Sequence, residues 1–122
     1  MTPGWPRGLV PASHEEFPER AVSWLLDQGP AELRQSALRS YPAALCAYVQ
    51  AYVAGALEGV RKAYGQSRTD LAELLQPAEL EIVLQAMAAE GARLVALQRE
   101  LDLVSEALHI PPRRRPGPRL GR

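Results

Sequence analysis

A chain of 122 residues, 47% of them apolar, is long enough for one domain with a modest core and needs no covalent staple. A single cysteine, Cys46, excludes an internal disulfide framework and suits a reducing, cytoplasmic compartment. The formal net charge of zero hides a split: residues 1–112 carry nine basic and fourteen acidic side chains, whereas residues 113–122 carry five arginines and no acid.

The first 16 residues hold three prolines and two glycines without apolar periodicity and read as an irregular arm, with Trp5, Leu9 and Val10 as anchors onto the body. They lack a charged region followed by an apolar core, so no secretory signal is read there. The helical domain is placed at residues 17–110. Phe17-Pro18 opens a short helix with an apolar stripe of Ala21, Val22, Leu25 and Leu26, proline being tolerated in a first turn. Gly29 stops it. Pro30 starts a second short helix, PAELRQSALRSY, and Ser40-Tyr41-Pro42 is the next break.

Two long helices follow, at about residues 42–75 and 77–109, joined by a tight Gln76-Pro77 turn into an antiparallel hairpin. The second has a heptad seam of coiled-coil type: Leu80, Val83, Met87, Glu90, Leu94, Leu97, Leu101, Val104 and Leu108. The first fits an eleven-residue spacing through Leu45, Val49, Tyr52, Ala56, Val60, Ala63, Ser67, Leu71 and Leu74. Folding at the turn makes the numbers of facing residues add to about 153. Gly65, with Ser67 and Asp70 in capping-box spacing, predicts at least a local irregularity. Ala43 to Leu57 is apolar except for Gln50, but at roughly 22 Å it is short of a hydrocarbon core of about 30 Å, so no membrane span is expected.

The first long helix also carries an unbroken row of small residues, Ala47, Ala51, Gly55, Gly59 and Ala63. Glycine costs a helix about 1 kcal/mol relative to alanine, so two of them ask for a reason. The register places Gly55 and Gly59 opposite Leu97 and Leu94, which predicts close helix packing at those four positions and overpacking by about 1–3 kcal/mol on enlarging Gly59. Glu90 interrupts the seam and is expected to turn to its edge and pair with Arg61 or Lys62.

The residue sets that catalysis requires are missing. His14 and His109 lie near opposite ends, Glu106-Ala-Leu-His109 has no mate for a dinuclear carboxylate site, and no phosphate-binding loop or nucleophile elbow occurs. Glu15, Glu16 and Glu19 read as a solvated helix start, and Cys46, among apolar helical residues, as a buried inert thiol. No enzyme, cofactor or metal site is expected.

Apolar positions exceed what one hairpin buries. Leu75, Ile82, Leu84 and Val95 are left as a candidate partner interface, and a second hairpin completing a four-helix bundle is the economical cover. The tail, residues 111–122, reads as disordered, and Arg113, Arg114, Arg115, Arg119 and Arg122 are candidate contacts to nucleic-acid phosphates. One lysine against thirteen arginines fits a GC-rich, bacterial genome. The expectation is a non-catalytic all-α interaction module, a homodimer or the partner of another helical protein. The alternative is a small nucleic-acid-associated protein acting through its arginine tail.

Overall fold

The computed structural model describes residues 2–109, and every described element is helical: α1 (Phe17–Gln28), two single 3₁₀ turns (Ala31–Gln35 and Ala37–Ser40), α2 (Pro42–Asp70) and α3 (Pro77–His109). The basic tail lies outside the described residues. Each α-helix begins at or beside a proline, where the missing N–H is no loss. Contacts of Gln50 with Asp102, Val60 with Gly91 and Ser67 with Met87 make α2 and α3 antiparallel, in the register that folding at residue 76 gives.

The core lies at the open end of this pair. Leu45, Cys46, Val49, Val53 and Leu57 of α2 meet Leu94, Leu97, Leu101 and Val104 of α3, while Phe17, Ala21, Leu25 and Leu26 of α1 close the layer. The N-terminal arm seals it. Pro6 and Leu9 are buried, the Trp5 indole Nε1–H donates to the carbonyls of Leu9 (3.1 Å) and Val10 (3.3 Å), and its ring lies 5.9 Å from that of Phe17. Two turns of the arm need positive φ, and glycine supplies both, at Gly4 and Gly8.

Three boundaries differ from those expected. The segment 30–41 is two 3₁₀ turns, because Ser36 is extended (φ −90°, ψ 151°) and its Oγ accepts from the Leu38 N–H at 3.1 Å, a local bond that competes with a continuous helix. α2 runs straight through Gly65 and ends at Asp70. Ser67 is buried and turns its hydroxyl to the Met87 sulfur (3.7 Å), so it does not cap a new helix. Residues 71–76 then form a turn-rich link, and the tight two-residue turn is replaced by this longer reversal. The Glu79 carboxylate accepts from the Gln76 N–H at 2.9 Å, half of a capping box that fixes where α3 starts.

The glycine row is the larger correction. Gly55 and Gly59 are exposed, and a Cβ added at either meets nothing within 4 Å, so they are not close-packing positions for Leu94 and Leu97. Those leucines are buried instead against the row Leu45, Val49, Val53 and Leu57, which points the other way from the small one. Tyr52, expected in the seam, is 45% exposed for the same reason. Replacing Gly59 with alanine is therefore expected to stabilise the fold by about 0.5–1 kcal/mol through helix propensity, read as a higher urea midpoint at unchanged slope. A drop in midpoint would restore the packing role.

Candidate interaction surface

The second half of the hairpin is built differently from the first. Between residues 58 and 93 the only buried residue is Ser67, although Val60, Ala63, Leu71, Leu80, Val83 and Met87 keep the apolar period of a seam. Two helices alone cannot enclose such a seam, and α1 reaches only its open-end half. An open groove of about 300 Å³ results, lined by Leu57, Val60, Arg61 and Tyr64 of α2 and by Met87, Ala88, Gly91 and Val95 of α3, mostly apolar with Arg61 as its one charge. Toward the open end Val95 also borders a polar groove with Gln50, Gln98 and Asp102, where the Gln50 amide donates to the Asp102 carboxylate at 3.1 Å. An apolar strip with a polar margin is the ordinary anatomy of a helix-docking surface.

Of the four predicted interface residues, Val95 lines this groove directly. Leu84 continues its stripe, since Leu84, Ala88, Gly91 and Val95 follow at steps of four, three and four. Ile82, 67% exposed, stands two residues from Leu84 and so on another face of α3. Leu75 is half-buried in the link, beside Leu74, which is 75% exposed. The structure thus divides the set: Leu84 and Val95 share a face, and Ile82 and Leu75 belong to the turn end.

Glu90 turns out of the seam, as expected, but its partner is different. Arg93, one turn along α3, holds it with two bonds of 2.7 and 2.9 Å, while Arg61 sits 3.9 Å from Glu58. The guanidinium keeps the Glu90 carboxyl below its usual range. A neighbour in the same helix reaches it with less loss of side-chain freedom than one across the seam. Arg68 is occupied likewise, donating to the Tyr64 hydroxyl (3.1 Å) with its guanidinium 5.1 Å from the ring centre.

Cys46 is fully buried beneath α3, and burial, with a smaller push from the Asp102 charge, raises its thiol to about 11 against an opposing hydrogen bond from Ser105. The folded state then keeps the proton between about pH 9 and 11 while the unfolded chain loses it, so stability falls as pH rises through that window. We expect Cys46→Ala to flatten that fall by on the order of 2 kcal/mol in pH-dependent urea melts, and iodoacetamide to modify wild type only after unfolding. Rapid alkylation of the native protein near pH 8 would contradict the buried thiol.

Among the described residues no group of three or more His, Cys, Asp or Glu side chains is placed to hold a metal ion. Among the described residues, α2 is the one helix long and apolar enough to cross a membrane by length and composition, with mean hydropathy 1.3 in its best window. Its exposed residues from Ala44 to Gly55 are Ala44, Ala47, Tyr48, Ala51, Tyr52, Ala54 and Gly55, without a charge, whereas Glu58, Arg61, Lys62, Arg68 and Asp70 occupy its second half. No protein-family profile, characterised protein or solved structure matches this chain.

Proposed function

We propose that the protein is a non-catalytic interaction module that self-associates by helix-on-helix docking, two hairpins completing a four-helix bundle along the α2/α3 groove. One observation carries this reading: residues 58–93 hold an apolar seam of which only Ser67 is buried. A hairpin normally gains its stability from burying such a face, and a second copy supplies the complementary surface without a further gene product. The groove offers an apolar middle, from Leu57 to Val95, and a polar margin at Gln50, Gln98 and Asp102. Ala88 and Gly91 lie at the centre of the proposed contact, with Leu84 and Val95 on the same face at its two ends. A cytoplasmic setting suits the free, buried Cys46.

Light scattering after size exclusion tests the proposal. At about 50 µM the full chain is expected to run at twice its 13.4 kDa mass, since an apolar interface of standard size holds at micromolar concentrations or below. A monomer at that concentration would overturn self-association and leave the groove to a different protein.

A further inference from the structure

Resting on that dimer reading, the structure assigns the turn end of the hairpin as the docking site for the arginine tail of the second copy. From Thr69 to Ala92 the chain has five acidic side chains and no lysine or arginine. Glu90 is taken by Arg93, and the four others, Asp70, Glu73, Glu79 and Glu81, are exposed around the link and the first turn of α3. No ion pair among the described residues involves any of these four. The nearest cation in sequence, Arg68, donates to the Tyr64 hydroxyl and feels the charge of Glu81 without forming an ion pair with it, so one cation stands against four carboxylates. Leu74 and Ile82 stand open among the carboxylates, 75% and 67% exposed. The surface is both acidic and apolar. It calls for a basic segment with at least one apolar side chain.

The sequence holds such a segment. Residues 113–122 carry five arginines and Leu120, and they follow α3 at the end of the hairpin away from the link. Reach decides whose tail docks there. The 33 residues of α3 span about 50 Å, whereas the four residues from Ile110 to Arg113 cover at most about 14 Å and the whole stretch to Arg122 about 47 Å. A chain therefore cannot lay Arg113, Arg114 and Arg115 on its own turn end. A second copy packed antiparallel can, because each tail then begins beside the other copy's turn. Electrostatics selects the same arrangement. A parallel pair would gather two basic tails at one end and two acidic turns at the other, whereas the antiparallel pair sets opposite charges together twice by symmetry.

The test places a nitroxide label on Gly117→Cys in unlabelled full-length chain and mixes it with ¹⁵N-labelled wild type. Cys46, buried, stays unmodified. Broadening is expected at the amides of residues 70–84, lost in the Asp70→Asn, Glu73→Gln, Glu79→Gln, Glu81→Gln variant. Removing residues 111–122 is expected to weaken dimerisation about tenfold at about 20 mM salt and by less than about twofold at about 500 mM. A dimer by light scattering without broadening at residues 70–84 overturns tail docking and leaves the dimer standing. A monomer overturns both. Tail amides that shift with duplex DNA, while residues 70–84 do not sense the label, would give the arginines to nucleic acid instead.

Discussion

Replacing Leu101 with alanine is expected to destabilise the protein by about 3 kcal/mol, enough to remove a large share of the stability of a domain this size. Leu101 has no exposed surface, and its own carbonyl lies 3.9 Å from the Cys46 sulfur. It therefore sits where α2 and α3 approach with α1 and the arm closing over them, and the surrounding helices have little room to collapse into a cavity. Ile82→Ala is the matched control. Ile82 is 67% exposed, so its truncation should cost no more than about 0.5 kcal/mol in the same urea titration. Equal losses at the two positions would mean that the core is not concentrated at the open end.

The second large effect concerns assembly. Ala88→Glu is expected to convert the proposed dimer to a monomer at about 50 µM with little change in helix content. Ala88 lines the α2/α3 groove yet is exposed, so a longer side chain there does not strain the single chain. A carboxylate buried in that contact would meet only Arg61, which already lies 3.9 Å from Glu58, and its desolvation is expected to cost several kcal/mol, more than a small dimer interface can absorb. Ala51→Glu, on the outward face of α2, should leave the dimer intact. The reverse result, with Ala51→Glu dissociating the pair and Ala88→Glu silent, would move the contact to the row of small residues and tyrosines.

Much of the architecture is legible in residue patterns, for reasons that differ by element. In α3 the steps of three and four are carried by leucine and valine, large enough that only one face can be buried, and Leu94, Leu97, Leu101 and Val104 are the buried ones. α2 is ambiguous because two rows at steps of four run along it. Leu45, Val49, Val53 and Leu57 form one row; Ala47, Ala51, Gly55 and Gly59 form the other. Spacing cannot choose between them. The apolar area removed from water can, and it favours the leucine and valine row by several kcal/mol. Glycine, taken as a sign of close approach, points to the exposed face. Glycine is tolerated at positions 55 and 59 with open space beside it, and nothing in the structure explains why alanine does not stand there.

The segment 30–41 departs from a continuous helix because propensity says little about short stretches flanked by proline, where one serine hydroxyl redirects the backbone. The candidate surface was legible in part. Surplus apolar residues at the turn end follow from counting faces, but that Val95 lines a groove, with Leu84 on the same face of α3 and Ile82 on another, depends on the helix pairing. Arg93 as the partner of Glu90 was available in the sequence as an i,i+3 pair.

The uneven distribution of buried residues makes the hairpin two mechanical units on one pair of helices. The half that carries Leu45 to Leu57 and Leu94 to Val104 opens only when the whole domain unfolds. The half beyond Glu58 is held by backbone hydrogen bonds, a half-covered seam and the Glu79 cap, so it can fray and re-form while the rest stays native. A second copy docked as proposed would supply the missing burial and order that half of the hairpin as it binds. The affinity of such a contact would be set as much by how completely the distal half of the hairpin is wound beforehand as by the contacts it makes.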